Sequence, residues 1–60
     1  MSRILVSNDK RSVRAELQCD GDGRWTGKCE LGDWVSFPGR WYTLADLAED
    51  AGIHMDQAHR

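Results

Sequence analysis

Four side chains in this 60-residue sequence are of the types that bind zinc: Cys19, Cys29, His54 and His59. Structural zinc sites usually bring their ligands in close pairs, with spacings of C-x2–4-C and H-x3–5-H. The two histidines satisfy this spacing, whereas the two cysteines lie ten positions apart. Whether these four residues form a zinc site therefore depends on where the fold places the two cysteines.

A β-hairpin is predicted to keep the cysteines apart. Residues 12–19 and 24–31 each alternate apolar and polar side chains, which is typical of half-buried strands. A three-residue loop at 21–23, with Gly23 in the left-handed conformation, puts both apolar sets on one face. The register then pairs Cys19 with Trp25, Leu17 with Gly27, Ala15 with Cys29 and Val13 with Leu31. The cysteines lie four residues apart along the ladder, about 13 Å, too far for one metal ion or for a disulfide. We therefore predict no cofactor, with zinc at the Cys/His quartet as the alternative.

Two other chemistries fit the sequence less well. The stretch "CDGDG" offers Asp20 and Asp22, but a calcium loop needs several more oxygen ligands, and Arg24 stands where the third would be. A cysteine with His54 as its base is a conceivable nucleophilic pair. A 60-residue domain, however, leaves little room for a pocket that excludes water. We predict a protein that is not an enzyme.

The remaining elements complete a small α+β fold. The stretch "SRILVS" at 2–7 predicts a strand, Trp34–Phe37 a short further strand, and Pro38-Gly39 a turn. Thr43 is a good N-cap for a helix over 43–51, with Gly52 as its C′ residue. Residues 53–60 are expected to add one further turn or to fray. We predict an antiparallel sheet of three to four strands with this one helix packed on it. The predicted core is Leu5, Val13, Ala15, Leu17, Trp25, Cys29, Leu31, Val35, Leu44, Leu47 and Ala48, with Trp41 or Tyr42 over the helix start.

Composition indicates one small domain over 1–60 with a cytoplasmic location. The formal net charge is −2 and both signs are interspersed. No apolar run is long enough to span a membrane, and the residues after Met1 do not resemble a signal peptide. A chain this short has a marginal core, and such scaffolds usually need a disulfide, a metal, a partner or very good packing.

Surplus aromatic residues favour a binding role. Three tryptophans in 60 residues are many, and tryptophan is enriched in protein interfaces. We predict a non-catalytic accessory or regulatory protein that docks onto a host or cellular protein. The predicted contact residues surround the Pro38-Gly39 turn: Trp34, Phe37, Arg40, Trp41 and Tyr42. Self-association of strand 2–7 across a two-fold axis, giving a homodimer, is a further alternative.

Nucleic-acid binding is the rival interpretation. Its basic residues would be Arg3, Lys10, Arg11 and Arg14. The segment "LADLAEDAGIHMDQAHR" also resembles the helix-turn-helix motif of small repressors, with Ala48, Gly52 and Ile53 at the motif's small and apolar positions. The resemblance implies a recognition helix after Gly52, which would have only about one and a half turns. The net negative charge and the acidic first helix favour a protein partner over nucleic acid.

A second resemblance concerns the hairpin and helix together. "CDGDG" followed by "GRWYTLADLAEDAG" resembles small zinc-ribbon-like proteins of actinobacteria and their phages, in which a C-D-x-C-G knuckle precedes a G-W-x-T-L-x-D-L helix start. Here Asp22 occupies the second knuckle position, and no cysteine pair lies near Arg60. The resemblance therefore implies a phage or actinobacterial scaffold that keeps the hairpin and helix and has lost its metal.

Overall fold

Three antiparallel strands and one helix make up the fold of residues 2–60. The computed structural model describes residues 2–60, with β1 at Arg3–Ser7, β2 at Arg14–Cys19, β3 at Trp25–Cys29 and α1 at Leu44–Ala58. The strands pair in the order β1-β2-β3, and α1 contacts all three. The predicted α+β architecture is confirmed.

The β2–β3 hairpin has the predicted register. Leu17 pairs with Gly27, Ala15 with Cys29 and Cys19 with Trp25. In the connecting loop, the Oδ1 atom of Asp20 accepts hydrogen bonds from the backbone N–H groups of Asp22 and Arg24, at 2.9 and 3.1 Å. Gly23 has a φ of 81°, the left-handed conformation expected of it. "CDGDG" therefore forms a turn in which the Asp20 side chain binds its own backbone.

The core lies between one face of the sheet and the helix. Three of the predicted core residues are exposed instead: Leu5 at 52%, Leu31 at 62% and Val35 at 68%. Leu5 pairs with Glu16, whose side chain is on the outer face, and Val35 pairs with Lys28 on the same face. Leu31 lies in the turn beyond β3. The buried hydrophobic residues are Ala15, Leu17, Cys29, Tyr42, Leu47, Ala51 and Met55.

The segment after β3 folds back along that strand without forming a fourth one. The N–H of Cys29 donates to the carbonyl of Trp34 at 2.8 Å, and the N–H of Ser36 donates to the carbonyl of Gly27 at 2.9 Å. The Trp34 ring occupies the space beside Gly27: a Cβ atom there would lie 3.0 Å from Trp34 Cη2. Glycine at this position therefore lets the indole pack closely against β3.

The helix begins as predicted but runs further. The Thr43 hydroxyl accepts a hydrogen bond from the N–H of Asp46 at 3.2 Å, the expected N-cap. The predicted end at residue 51 is wrong, because α1 continues through Gly52 to Ala58 and buries Met55. One unbroken helix also leaves no turn for a helix-turn-helix motif, so that interpretation of Leu44–Arg60 is wrong. No helix among residues 2–60 is long and apolar enough to cross a bilayer.

Candidate metal centre

Four potential metal ligands converge where β3 meets the C-terminal end of the helix. Cys29, Asp33, His54 and His59 each offer one ligand atom, and these atoms all lie within 4.8 Å of one another. We refer to these residues as the four-ligand cluster. Its members come from the end of a strand, a turn, a helix and a helix cap, so the cluster joins the sheet to the helix.

The first two ligands are positioned by the end of the hairpin. Cys29 is the last residue of β3, faces the helix and is only 3% exposed. The N–H of Gly32 donates to the carbonyl of Cys29 at 2.9 Å, and Gly32 has a φ of 77°. This tight turn reverses the chain, because glycine adopts that conformation at little cost. As a result, the Asp33 carboxylate lies beside the Cys29 thiol.

The two histidines reach the cluster by different routes. His54 lies within α1, and its ring stacks on Trp34 with a centroid distance of 6.0 Å and an interplanar angle of 21°. On a continued helix, His59 would be rotated about 140° from His54, since each residue advances about 100°. However, His59 is the C-cap, with φ −135° and ψ 45°. This departure from helical geometry lets its ring meet His54 edge-on, at a centroid distance of 5.0 Å.

Asp33 is the hydrogen-bonding partner of both imidazoles. Nε2 of His54 donates to Asp33 Oδ1 at 3.1 Å, and Nε2 of His59 donates to Asp33 Oδ2 at 2.7 Å. An ionised carboxylate only accepts, so each Nε2 must carry the proton here. Hydrogen bonding from the Cys29 thiol and then from His59, with electrostatic attraction to the two histidines, lowers the pKa of Asp33 to about 2. Asp33 is therefore an anionic ligand at neutral pH.

Cys29 is protonated in this arrangement. Burial, followed by the hydrogen bond to Asp33, raises the pKa of its thiol above the ordinary value. Its Sγ atom lies 4.0 Å from Nε2 of His59. A metal binds the thiolate rather than the thiol, so an incoming cation must displace this proton. It also needs Nε2 of each histidine unprotonated, with the ring proton on Nδ1.

The cluster fits a tetrahedral zinc ion. With zinc–sulfur bonds of about 2.3 Å and zinc–nitrogen bonds of about 2.0 Å, adjacent ligand atoms lie roughly 3.3–3.6 Å apart. The Asp33–His59 separation of 2.7 Å and the upper limit of 4.8 Å for all pairs bracket that range. Side-chain movements of roughly 1 Å would therefore complete the coordination shell. A thiolate with two imidazoles and one carboxylate suits zinc, whereas calcium and magnesium prefer oxygen alone.

The structure brings together three members of the predicted zinc quartet, Cys29, His54 and His59, and separates the fourth from them. Cys19 lies opposite Trp25 at the other end of the hairpin, and Ala15 is the β2 residue opposite Cys29. Asp33, which the sequence indicated only as a turn residue, takes the place of Cys19. A signal was available: Cys29-x3-Asp33 has the spacing of a paired zinc knuckle once a carboxylate is allowed as a ligand.

The predicted partner-binding residues divide between core and surface. Phe37 and Trp41 are 69% and 60% exposed, and the Arg40 guanidinium lies 5.0 Å from the centroid of the Tyr42 ring. Tyr42 itself is 3% exposed, and Trp34 packs against the core. Tyr42 is therefore a core residue, whereas Trp34 is half-buried at the edge of the core.

Two of the four predicted basic residues lie beside acidic side chains. Arg3, Lys10, Arg11 and Arg14 are all exposed. Arg3 pairs with the Glu16 carboxylate at 3.7 Å, and the backbone N–H of Arg14 donates to a Glu30 carboxylate oxygen at 2.9 Å. These acidic neighbours weaken the attraction of Arg3 and Arg14 to phosphate.

Comparison with known proteins finds no matching family model, no matching curated protein and no matching solved structure.

Proposed function

We propose that this chain is a small zinc-binding protein in which the metal holds the sheet and the C-terminal helix together. The observation that carries this proposal is the convergence of the four-ligand cluster from four separate parts of the chain. Two pairs with zinc-knuckle spacing, Cys29-x3-Asp33 and His54-x4-His59, supply the ligands.

A structural role is favoured over a catalytic one. Four protein ligands fill a tetrahedral shell, whereas catalytic zinc keeps one position open for water or substrate. The side chains of His54 and His59 are only 13% and 14% exposed, so one side of the shell is covered by protein. Asp33 is 40% exposed and closes the solvent side. An ion held in this way has no vacant site for chemistry.

The size of the chain explains why a metal would help. A domain of 60 residues is expected to have a free energy of unfolding of only about 3–9 kcal/mol. Free zinc at a thousand times its dissociation constant adds about 4 kcal/mol. Bound zinc would thus contribute a large share of the total free energy of unfolding. Among residues 2–60, the large side chains that are fully buried are few, namely Leu17 and Leu47.

Isothermal titration calorimetry tests the proposal. We expect the reduced wild-type protein to bind one zinc ion. Alanine at any position of the four-ligand cluster should weaken binding more than about 100-fold, beyond the 10–100-fold effect of residues outside the ligand shell. Cys19→Ala is the matched control and should bind zinc like the wild type. A wild type without zinc affinity, or a Cys19→Ala variant that loses it, would contradict the proposal.

A second candidate function is the binding of a partner protein. The exposed side chains of Phe37 and Trp41, on either side of the Pro38-Gly39 turn, support it. Affinity capture with the Phe37→Ala/Trp41→Ala double variant should lose a partner that the wild type retains. Leu5→Ala, which removes a comparably exposed apolar side chain from β1, is the control. Identical capture by all three proteins would rule out this surface.

A further inference from the structure

Asn8 is a buried polar residue that ties the end of β1 to the end of the helix. It is 6% exposed. Its Oδ1 atom accepts hydrogen bonds from the N–H groups of Ser12 and Val13, at 2.8 and 3.2 Å. Its Nδ2 atom donates to the Ser12 hydroxyl at 3.1 Å and to the backbone carbonyl of His59 at 2.7 Å. The amide therefore uses all four of its hydrogen-bonding positions.

The contact to His59 matters because this residue lies outside the helix. Within the backbone, His59 is held by the hydrogen bond from its N–H to the carbonyl of Met55 at 3.1 Å. Its non-helical torsion angles are what turn the imidazole toward Asp33. A free helix end frays readily. The bond from Asn8 fixes the carbonyl of the residue whose side chain completes the cluster.

We propose that Asn8 is the positioning residue of the metal centre: by holding the His59 carbonyl, it fixes the C-cap conformation that points the imidazole at the ion. This inference rests on the proposed zinc function. Residues that orient metal ligands from outside the ligand shell typically change metal affinity 10–100-fold. Asn8 contributes in this way although it lies 51 positions from His59 in the sequence.

The coupling must act in both directions. If the bond from Asn8 favours zinc binding, then zinc binding stabilises the turn that Asn8 organises, by the reciprocity of linked equilibria. That turn spans residues 8–13 and is closed by the N–H of Asn8 donating to the carbonyl of Val13 at 3.1 Å. Zinc should therefore slow amide hydrogen exchange at Ser12 and Val13, although neither residue is a ligand.

The variant Asn8→Asp isolates this role. Aspartate keeps the acceptor oxygens for Ser12 and Val13 but has no N–H group to donate to His59. Ser12→Ala is the matched control, because it removes the other acceptor of Asn8 Nδ2 and leaves the bond to His59. Zinc affinity is measured by competition with a chromophoric chelator. The visible spectrum of the cobalt-substituted protein reports the ligand set, and exchange rates are compared with and without zinc.

We expect Asn8→Asp to bind zinc at least about tenfold more weakly, to show an altered cobalt spectrum and to lose the zinc-dependent protection of Val13. Ser12→Ala should match the wild type. Equal affinities and spectra in wild type and Asn8→Asp would overturn the role of Asn8 while leaving the zinc site intact. If Asn8→Asp does not fold, amide hydrogen exchange in the wild type is the deciding measurement. Exchange rates at Ser12 and Val13 that do not change with zinc would overturn the inference. No zinc binding by the wild type would instead refute the proposed function.

Discussion

Replacing Gly27 by alanine tests the packing that places Trp34 beside the metal centre. A Cβ atom at this position would lie 2.7 Å from Leu17 Cδ2, 3.0 Å from Trp34 Cη2 and 3.1 Å from Trp34 Cζ3. The contact to Leu17 Cδ2 is the shortest, so this fully buried side chain must shift within the core. The indole, which stacks on His54, must also give way slightly.

The expected cost follows from two opposing effects. Overpacking a core by a methyl group costs about 1–3 kcal/mol. Alanine is better than glycine within a strand by about 0.5–1 kcal/mol. At the midpoints of these ranges, the net loss in the free energy of unfolding for Gly27→Ala is about 1 kcal/mol, which lowers the melting temperature of a domain this small by about 4–8 °C.

Thermal unfolding of the chelator-treated protein, followed by circular dichroism, measures this effect. Gly21→Ala is the matched control, since a Cβ there meets nothing within 4 Å and Gly21 does not have a positive φ. Its melting temperature should stay unchanged or rise slightly. A Gly27→Ala variant as stable as Gly21→Ala would show that Leu17 and Trp34 do not close over Gly27, and would contradict the packing of Trp34 on β3.

Three further predictions follow from the cluster and the helix cap. Burial raises the pKa of the Cys29 thiol, so zinc binding must release the thiol proton. Zinc affinity should therefore rise about tenfold per pH unit between about pH 7 and 8. In Cys29→Ser, the plot of log affinity against pH should have a slope smaller by about one proton. In the metal-free protein, the pKa of Asp33 is lowered from 3.8 to about 2. The contribution of the Asp33 carboxylate to stability is therefore complete above pH 3.8 and disappears toward pH 2. Urea unfolding of Asp33→Asn should lack this acid dependence. Thr43→Ala should reduce the free energy of unfolding by about 1 kcal/mol through loss of the N-cap, whereas Thr43→Ser should not; equal unfolding midpoints for these two variants would contradict the role of the cap.

Local patterns were sufficient to predict most of the fold. The alternation in residues 12–31 and the glycine at position 23 specified the hairpin and its register, because a slip of one residue would expose every apolar side chain. The helix end was mispredicted because Gly52 is a common C′ residue. Tertiary packing of Met55 against the sheet outweighs the small penalty of an exposed glycine within the helix.

The candidate site was only partly predictable from spacing. The histidine pair was visible, and the register correctly separated Cys19 from Cys29. Local spacing could not predict that the chain reverses at Gly32 and so brings the Asp33 carboxylate beside Cys29. The contact between Asn8 and His59 was equally invisible, since it joins the two ends of the sequence and depends on the helix reaching Ala58.

X-ray absorption spectroscopy at the zinc edge of the stoichiometric complex identifies the ligand atoms of the metal. We expect one sulfur ligand at about 2.3 Å and three nitrogen or oxygen ligands at about 2.0–2.1 Å, with the sulfur contribution unchanged in Cys19→Ala. A second sulfur that disappears in Cys19→Ala, or a shell of oxygen ligands only, would show that the cluster of Cys29, Asp33, His54 and His59 is not the zinc site.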